Sequence, residues 1–100
     1  MTETEFLAQI LEVAVLYGWE GAHFRPAQTA RGWRTPVQGS LGKGWPDLVL
    51  IRKDRLVVAE LKVASNLSPA QTHVLDTFRG VAEVYLWRPA DFAQIVETLR

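Results

Sequence analysis

The stretch "GWPDLVLIRKDRLVVAELK", residues 44–62, holds two apolar runs separated by a short polar segment. Residues 47–52 and 56–62 have the composition of β-strands, and residues 53–55 have that of a turn. The sequence therefore predicts an antiparallel hairpin in which the numbers of paired residues sum to about 107 or 108.

Charged residues interrupt this hairpin at one end. Side chains two positions apart on a strand share a face, so Glu60 and Lys62 are expected to project together, with Leu61 on the opposite face. The predicted register places Asp47 near Glu60 across the ladder. Two neighbouring carboxylates repel each other unless a positive charge lies between them. A divalent cation supplies that charge, and a nearby lysine can orient or deprotonate a water molecule.

The types of ligand indicate which metal is expected. The chain has no cysteine and two histidines. Carboxylate oxygens in such a setting favour Mg²⁺ or Mn²⁺ over zinc. A cation of this kind polarises a phosphoryl oxygen and activates water, so the pattern predicts metal-assisted hydrolysis of a phosphodiester. In the alternative interpretation, Glu60 and Lys62 form an exposed edge pair and Asp47 caps a turn after Pro46.

Helical signals flank the hairpin on both sides. Thr2 and Glu5 have the spacing of a capping box, and apolar residues recur at helical spacing as far as Tyr17, before Gly18. Ser68 as N-cap, a proline at the first helical position and Gln71 three residues after the cap predict a second helix.

The last quarter of the chain predicts a strand and a helix. Residues 81–87 have the composition of a buried strand, and residues 88–91 break the chain. Phe92, Ile95 and Leu99 then recur at helical spacing. The order of elements is thus helix, hairpin, helix, strand and helix, which indicates an α/β fold.

Composition indicates one soluble domain, residues 1–100, with 48% hydrophobic and 22% charged residues. No apolar run approaches the ~18 residues of a membrane span, so no membrane partner is expected. The first residues are acidic, which argues against a signal peptide and favours a cytoplasmic location. A core this small without disulfides favours self-association.

A basic and aromatic segment precedes the hairpin, although the formal net charge is zero. Residues 21–46 contain no Asp or Glu, and residues 26–44 read as a long loop. The predicted phosphate contacts are Arg25, Arg31, Arg34, Lys43 and His23. Trp33 and Trp45 could stack on a base, and Trp45 could equally pack in the interior. The alternative is a solvated loop without a ligand.

Four segments, "GWPDLVLI", "RLVVAELK", "LSPAQTHVLDTFR" and "AEVYLWRP", together resemble the virus-type replication-repair nuclease domain (VRR-NUC) of the PD-(D/E)xK superfamily. The family pattern is Gly-x-Pro-Asp, then Glu-x-Lys on the next strand, then a helix that opens with Ser/Thr-Pro-x-Gln. It is matched here at residues 44–47, 60–62 and 68–71. The resemblance covers nearly the whole chain. Residues 23–26 and 87–89 are similar to short stand-alone members from phages and bacteria.

The resemblance implies a restriction-endonuclease-like core, with a mixed central sheet flanked by helices. It also implies an endodeoxyribonuclease dependent on Mg²⁺ or Mn²⁺. Asp47, Glu60 and the backbone carbonyl of Leu61 would bind the metal. Lys62 would position or activate the attacking water, and Gln71 would act beside the lysine rather than solely as a helix cap.

Members of the family often add a glutamate from the first helix to the metal site. Glu3 falls on the same helical stripe as Leu7 and Ile10, whereas Glu5 and Glu12 point roughly the opposite way. Glu3 is therefore the expected metal ligand from this helix. The alternative is that Glu3 only complements the helix dipole.

The function expected from the resemblance is structure-selective cleavage of branched DNA, such as a Holliday junction, by a homodimer in a bacterial or phage-infected cell. The alternative is a non-catalytic nucleic-acid-binding or assembly module that retains the nuclease fold. A sequence-specific restriction enzyme would need more chain for base readout. His73 is interpreted as a surface or DNA-side residue and not as a metal ligand.

Overall fold

A four-stranded mixed sheet lies at the centre of the molecule, which the computed structural model describes over residues 1–24, 27–30, 32–34 and 37–100. Along the chain the elements are α1 (Glu3–Leu16), β1 (Glu20–His23), β2 (Ala27–Thr29), β3 (Gly32–Arg34), β4 (Leu48–Arg52), β5 (Arg55–Leu61), α2 (Pro69–Phe78), β6 (Glu83–Trp87), a 3-10 turn (Pro89–Asp91) and α3 (Phe92–Leu99). The order in the sheet is β1-β4-β5-β6. β4 is antiparallel to both β1 and β5, whereas β6 runs parallel to β5. The prediction of an α/β fold with a mixed sheet and flanking helices is confirmed.

The central hairpin has the predicted register. Leu48 pairs with Ala59, and Arg52 pairs with Arg55. The turn is one residue shorter than expected, because Arg55 already belongs to β5. Lys53 therefore adopts a left-handed backbone conformation with a φ of 55° in order to close a two-residue connection.

Capping boxes begin both long helices, as predicted. Thr2 accepts a hydrogen bond from the Glu5 backbone, and Glu5 Oε1 accepts one from the Thr2 backbone at 2.9 Å. Ser68 and Gln71 make the same reciprocal pair at the start of α2. Each box satisfies backbone N–H groups that a helix start leaves without partners.

The main core lies between one face of the sheet and the helices α1 and α3. Its fully buried members include Phe6, Ile10, Leu48, Val57, Ala59, Leu61, Ile95 and Leu99. Burial of each large apolar side chain contributes roughly 1.5–3 kcal/mol to stability. Trp19 and Trp87, which the sequence predicts to be either core or dimer residues, are also buried there.

The opposite face of the sheet is only partly covered. It carries Val58 and Glu60 from β5, and α2 packs on it. Ile51, on the same face of β4, remains 51% exposed. The face that holds the acid of the Glu-x-Lys motif is therefore bordered by open surface.

The β4–β5 hairpin has a turn end, where residues 53 and 54 connect the strands, and an open end, where β4 begins and β5 ends. At the turn end, Arg52 donates hydrogen bonds to the carbonyls of Tyr17 at 3.0 Å and Leu99 at 2.9 Å. The carboxyl ends of α1 and α3 therefore lie at the turn end. The open end carries Asp47 and Lys62, and the amino end of α1 points toward it.

Three boundaries differ from the predictions. The expected loop 26–44 includes a small antiparallel sheet, in which β2 pairs with β3. These strands are three residues long, and their polar sequence lacks the alternation that predicts a strand. The sequence after Gly18 predicts a short strand around residues 22–25, and β1 begins two residues before that range, at Glu20. β6 begins two residues later than predicted, at Glu83.

Membrane insertion finds no support in the described helices. None of them combines the length and the apolar character that are needed to cross a bilayer.

Candidate active site

Two carboxylates face each other across the open end of the hairpin. Glu60 lies in β5 and is 3% exposed, while Asp47 immediately precedes β4. Continuing the register from the pair Leu48 and Ala59 places the two acids directly opposite one another. Asp47 Oδ2 also accepts a hydrogen bond from the backbone N–H of Leu61 at 2.9 Å, which fixes the direction of its carboxylate. The predicted convergence of the two acids is confirmed.

The surroundings of Glu60 disfavour its charged form. Burial, the charge of Asp47 and a hydrogen bond with the Asp47 side chain together raise the pKa of Glu60 to about 8. Lys62 opposes this shift but does not outweigh it. In the absence of a further cation, this pair of acids therefore retains a proton near neutral pH.

Lys62 lies beside Glu60, as the Glu-x-Lys spacing predicted. Its Nζ lies 3.5 Å from Glu60 Oε2, and its side chain is 12% exposed. Its backbone N–H donates to the carbonyl of Trp87 at 3.0 Å, so the residue is held beside the end of β6. One lysine thus faces two carboxylates, which leaves the cluster short of positive charge.

Gln71 connects the start of α2 to the acid pair. Its Nε2 donates to Glu60 Oε2 at 3.0 Å, while its Oε1 accepts from the backbone N–H of Ser68 at 2.9 Å. The capping box therefore determines which end of the amide faces Glu60. The sequence suggested a helix cap and the resemblance a place in the site, and the side chain makes both sets of contacts.

The other carboxylate oxygen of Glu60, Oε1, is buried, and no N–H or O–H donor of another described residue reaches it. Its neighbour across the hairpin is a second carboxylate, which can hydrogen-bond to Glu60 only when one of the two acids is protonated. An unsatisfied buried acceptor costs about 1–3 kcal/mol, and more when it is charged. Such an atom beside a second carboxylate suits a hard cation, which binds oxygen ligands. The donor set therefore fits Mg²⁺ or Mn²⁺.

The acid pair is small for a metal site built from side chains alone. Over the described part of the chain, no group of three His, Cys, Asp or Glu side chains could hold a metal ion. Mg²⁺ commonly binds through one or two carboxylates and completes its octahedron with water and substrate phosphate. Asp47 and Glu60 match that mode, and the carbonyl of Leu61 remains a predicted additional ligand.

Glu3 is not brought into a three-acid group with this pair. Phe6, Leu7 and Ile10 are buried, which confirms the predicted inner stripe of α1, and Glu3 is partly buried near the amino end of the same helix. That end of α1 points toward the open end of the hairpin. Glu3 as a metal ligand stays a prediction.

Trp45 packs in the interior, which was one of its two predicted roles. Its ring makes edge contacts with Phe24, at 5.8 Å between centroids, and with Phe78, at 5.4 Å. Its Nε1 is buried without a hydrogen-bond partner among the described residues. The aromatic trio ties the segment before Asp47 to β1 and α2.

Gly44 brings the same segment against the first turn of α2. A Cβ atom at this position would lie 2.4 Å from the carbonyl oxygen of Ala70 and 2.9 Å from the backbone nitrogen of Gln71. Only glycine permits this approach. The backbone that carries Asp47 and the helix turn that carries Gln71 are therefore in direct contact.

The predicted phosphate contacts are only partly described. Lys43 is exposed just before Gly44, and His23 is exposed at the end of β1. The residue after His23 donates its backbone N–H to the carbonyl of Asp47 at 2.8 Å, so His23 lies at the open end. His73 is exposed on α2, as predicted. Arg25, Arg31 and the side chain of Arg34 lie outside the described residues.

One basic residue at the open end was not among the predicted site residues. Arg88 follows β6 and donates hydrogen bonds to the carbonyl of Ser65 at 3.0 Å and to Asn66 Oδ1 at 3.3 Å. The motif "WRP" was noted only for its resemblance to stand-alone relatives. The signal that could have identified Arg88 is the parallel pairing of β5 and β6, which the sequence does not specify.

Comparisons with protein-family models, with curated proteins and with solved structures found no match for this chain.

Proposed function

We propose that the protein is a divalent-metal-dependent DNA endonuclease with a site of the PD-(D/E)xK type. The observation that supports this most strongly is the pairing of the buried Glu60 with the half-buried Asp47, with Lys62 beside Glu60 and no hydrogen-bond donor to Glu60 Oε1 among the described residues. Burying two acids with a single lysine costs stability unless a cation joins them. A strongly shifted pKa caused by burial and a neighbouring like charge is typical of catalytic sites.

Each residue of the cluster has a role in the proposed hydrolysis. Mg²⁺ or Mn²⁺ supplies Lewis-acid polarisation of the phosphoryl oxygen and a bound water of lowered pKa. Asp47 and Glu60 hold the ion, and the Lys62 ammonium orients the attacking water and stabilises negative charge. Gln71 donates to Glu60 Oε2 and so keeps the carboxylate in one orientation. The other oxygen, Oε1, is left for the ion.

Branched DNA is the proposed substrate. A chain of 100 residues leaves little surface for reading base edges in a groove, so recognition of shape is favoured. We also propose a homodimer, because two sites related by a two-fold axis can cut two strands symmetrically. The resemblance to VRR-NUC domains supports both parts of this proposal.

The competing function is a non-catalytic nucleic-acid-binding or assembly module. Such a module gains nothing from a buried glutamate that faces a second, half-buried carboxylate, and an apolar pair of similar volume would stabilise it more. The retained Asp47, Glu60 and Lys62 therefore favour the enzyme.

A cleavage assay tests the proposal directly. Labelled four-way junction, flap, single-stranded and linear duplex DNA are incubated with Mg²⁺, Mn²⁺ or EDTA. We expect metal-dependent cutting of the junction, which Asp47→Asn and Lys62→Ala each reduce by at least about 10³-fold because the ion and the water lose their positions.

Matched variants control for the fold. Glu83→Gln removes a partly exposed acid from the same sheet, and Lys53→Ala removes an exposed lysine at the turn end. Both should cut at the wild-type rate, and all four variants should retain DNA binding. Undiminished cutting by Asp47→Asn would exclude the mechanism, and a strict monomer in sedimentation at micromolar concentration would exclude paired incision by a dimer.

A further inference from the structure

Arg88 lies beside Lys62 at the open end of the sheet. Leu61 pairs with Trp87 across the parallel strands, and Lys62 donates its backbone N–H to the Trp87 carbonyl at 3.0 Å. Lys62 and Arg88 are therefore the residues that directly follow two paired strands. Neighbouring strands lie about 4.8 Å apart. Both positions project to the sheet face that carries Glu60.

The guanidinium of Arg88 is held in place by neutral oxygens. Its Nη1 and Nη2 donate to the Ser65 carbonyl and to Asn66 Oδ1, in the loop between β5 and α2. Asp91 is the nearest acid in the sequence, and its carboxylate accepts from the backbone N–H of Arg88 instead. Among the described residues, Arg88 makes no ion pair with a carboxylate.

Arg52 at the turn end also donates to backbone carbonyls, but its guanidinium lies over the ring of Trp19. Three further arginines are paired with acids. Arg55 forms an ion pair with Glu83, Arg79 with Asp76 and Arg100 with Glu97. Arg88, by contrast, keeps its positive charge uncompensated and is partly exposed. Two of its five N–H donors are used, so three remain to bind a further acceptor.

We infer that Arg88, with the loop that holds it, is a phosphate subsite of the protein. It binds the DNA phosphodiester adjacent to the one at the acid pair, because its side chain starts one strand away from Lys62. A planar guanidinium with a fixed fork of donors matches two phosphate oxygens. This inference rests on the proposed function, since it takes the strand held at Asp47 and Glu60 to be DNA.

Salt dependence of DNA binding tests the subsite without relying on cleavage. The dissociation constant of wild-type protein for a junction with 5′-hydroxyl ends is measured in EDTA over a range of salt concentrations. Each phosphate contact contributes about 0.9 to the slope of log K against log salt. We expect Arg88→Gln to lower this slope by about 1. Arg88→Lys should preserve the slope, because it keeps the charge.

Arg100→Gln is the matched control. Arg100 lies at the turn end and is already paired with Glu97, so its removal should leave the slope unchanged. Thermal stability and Mn²⁺ affinity of all three variants are measured in parallel, since loss of the hydrogen bonds to Ser65 and Asn66 could also loosen the loop.

The outcomes separate the subsite from the wider proposal. If Arg88→Gln keeps the wild-type salt slope but has lower stability or weaker Mn²⁺ binding, Arg88 only holds the loop in place. That result would overturn the subsite. A slope that falls only when the DNA carries 5′-phosphates would assign Arg88 to a terminal phosphate and overturn the backbone contact. If the wild-type protein cuts DNA and Arg88→Gln keeps the normal salt slope, the subsite alone is refuted. If the wild-type protein neither binds nor cuts DNA, both proposals are refuted.

Discussion

The β4–β5 hairpin carries a cluster of charged side chains at each of its ends, and the two clusters differ in how their charges are matched. At the turn end, Arg55 donates to both carboxylate oxygens of Glu83, each at 2.7 Å. Arg52 and Arg55 also lie over the ring of Trp19, at 4.6 and 4.9 Å from its centroid. Every acid in this cluster has a cation beside it.

At the open end, the cluster of Asp47, Glu60 and Lys62 has two acids and one cation. Lys62 is paired with Glu60, and no donor among the described residues reaches the other oxygen of Glu60. The consequences for acidity are opposite. Arg55 lowers the pKa of Glu83, whereas burial and Asp47 raise the pKa of Glu60.

The difference indicates what each cluster is for. Paired charges such as Arg55 and Glu83 hold β5, β6 and α3 together, since Arg55 also donates to the Thr98 carbonyl. The acid pair at the open end costs stability when no cation joins it, which agrees with the proposed metal site.

The largest effect is expected on metal binding. Glu60→Gln and Asp47→Asn should each weaken Mn²⁺ binding by more than about 100-fold, because each removes one of two charged ligands. Isothermal titration with Mn²⁺ measures this without any substrate. Glu83→Gln should bind as wild type does. Equal Mn²⁺ affinity in Glu60→Gln would place the cation site elsewhere.

The next effect is on the free energy of unfolding as a function of pH in EDTA. Glu60 in the folded protein holds its proton up to a pKa of about 8, whereas in the unfolded chain it ionises near 4.5. Between these values the folded state binds more protons, so stability falls as pH rises. We expect a loss on the order of 2–4 kcal/mol between pH 5 and 9.

Urea denaturation at pH 5, 7 and 9 measures this loss, and Glu60→Gln should largely remove it. Glu83 provides the opposite case. Because folding lowers the pKa of Glu83, its ionised form adds to the free energy of unfolding, and this stabilisation is lost as the pH falls below about 4.5. Glu83→Gln should therefore leave the decline between pH 5 and 9 intact. A wild-type stability that is level across this range would contradict the raised pKa of Glu60.

The smallest effect is expected from loosening Gln71. Ser68→Ala removes the hydroxyl of the capping box and leaves the Gln71 amide less constrained beside Glu60. Mn²⁺ affinity should fall by about 10-fold, as for residues that orient a metal ligand. The matched control is Thr2→Ala, which removes the same hydroxyl from the box of α1.

Thermal denaturation should show a similar cost of about 1 kcal/mol in both capping variants. Only Ser68→Ala should change Mn²⁺ binding in a calorimetric titration. Equal Mn²⁺ affinity in the two variants would show that the second capping box serves the helix alone.

The sequence predicted the parts of the fold that depend on local rules. The register of the hairpin follows from its two apolar runs, and this register alone places Asp47 opposite Glu60. The capping boxes at Thr2 and Ser68 follow from residue spacing. Each of these depends on residues close together in the chain or paired through one turn.

Features that depend on packing between distant segments were not predictable in the same way. The lack of a hydrogen-bond donor to Glu60 Oε1 depends on the position of α2 over the sheet. The position of Arg88 beside Lys62 depends on the parallel pairing of β6 with β5. The hairpin of β2 and β3 was missed because its strands are short and polar. Burial and partner choice at these positions are set by tertiary structure.

The contact of Gly44 with Ala70 has a consequence for how this site could be lost. The absence of a single methyl group sets the spacing between the backbone before Asp47 and the turn that presents Gln71. A side chain at position 44 would push these two segments apart and separate the carboxylates from their neighbours, although every charged residue would still be present. A copy of this chain could therefore lose its chemistry while keeping every acid and lysine in its motif.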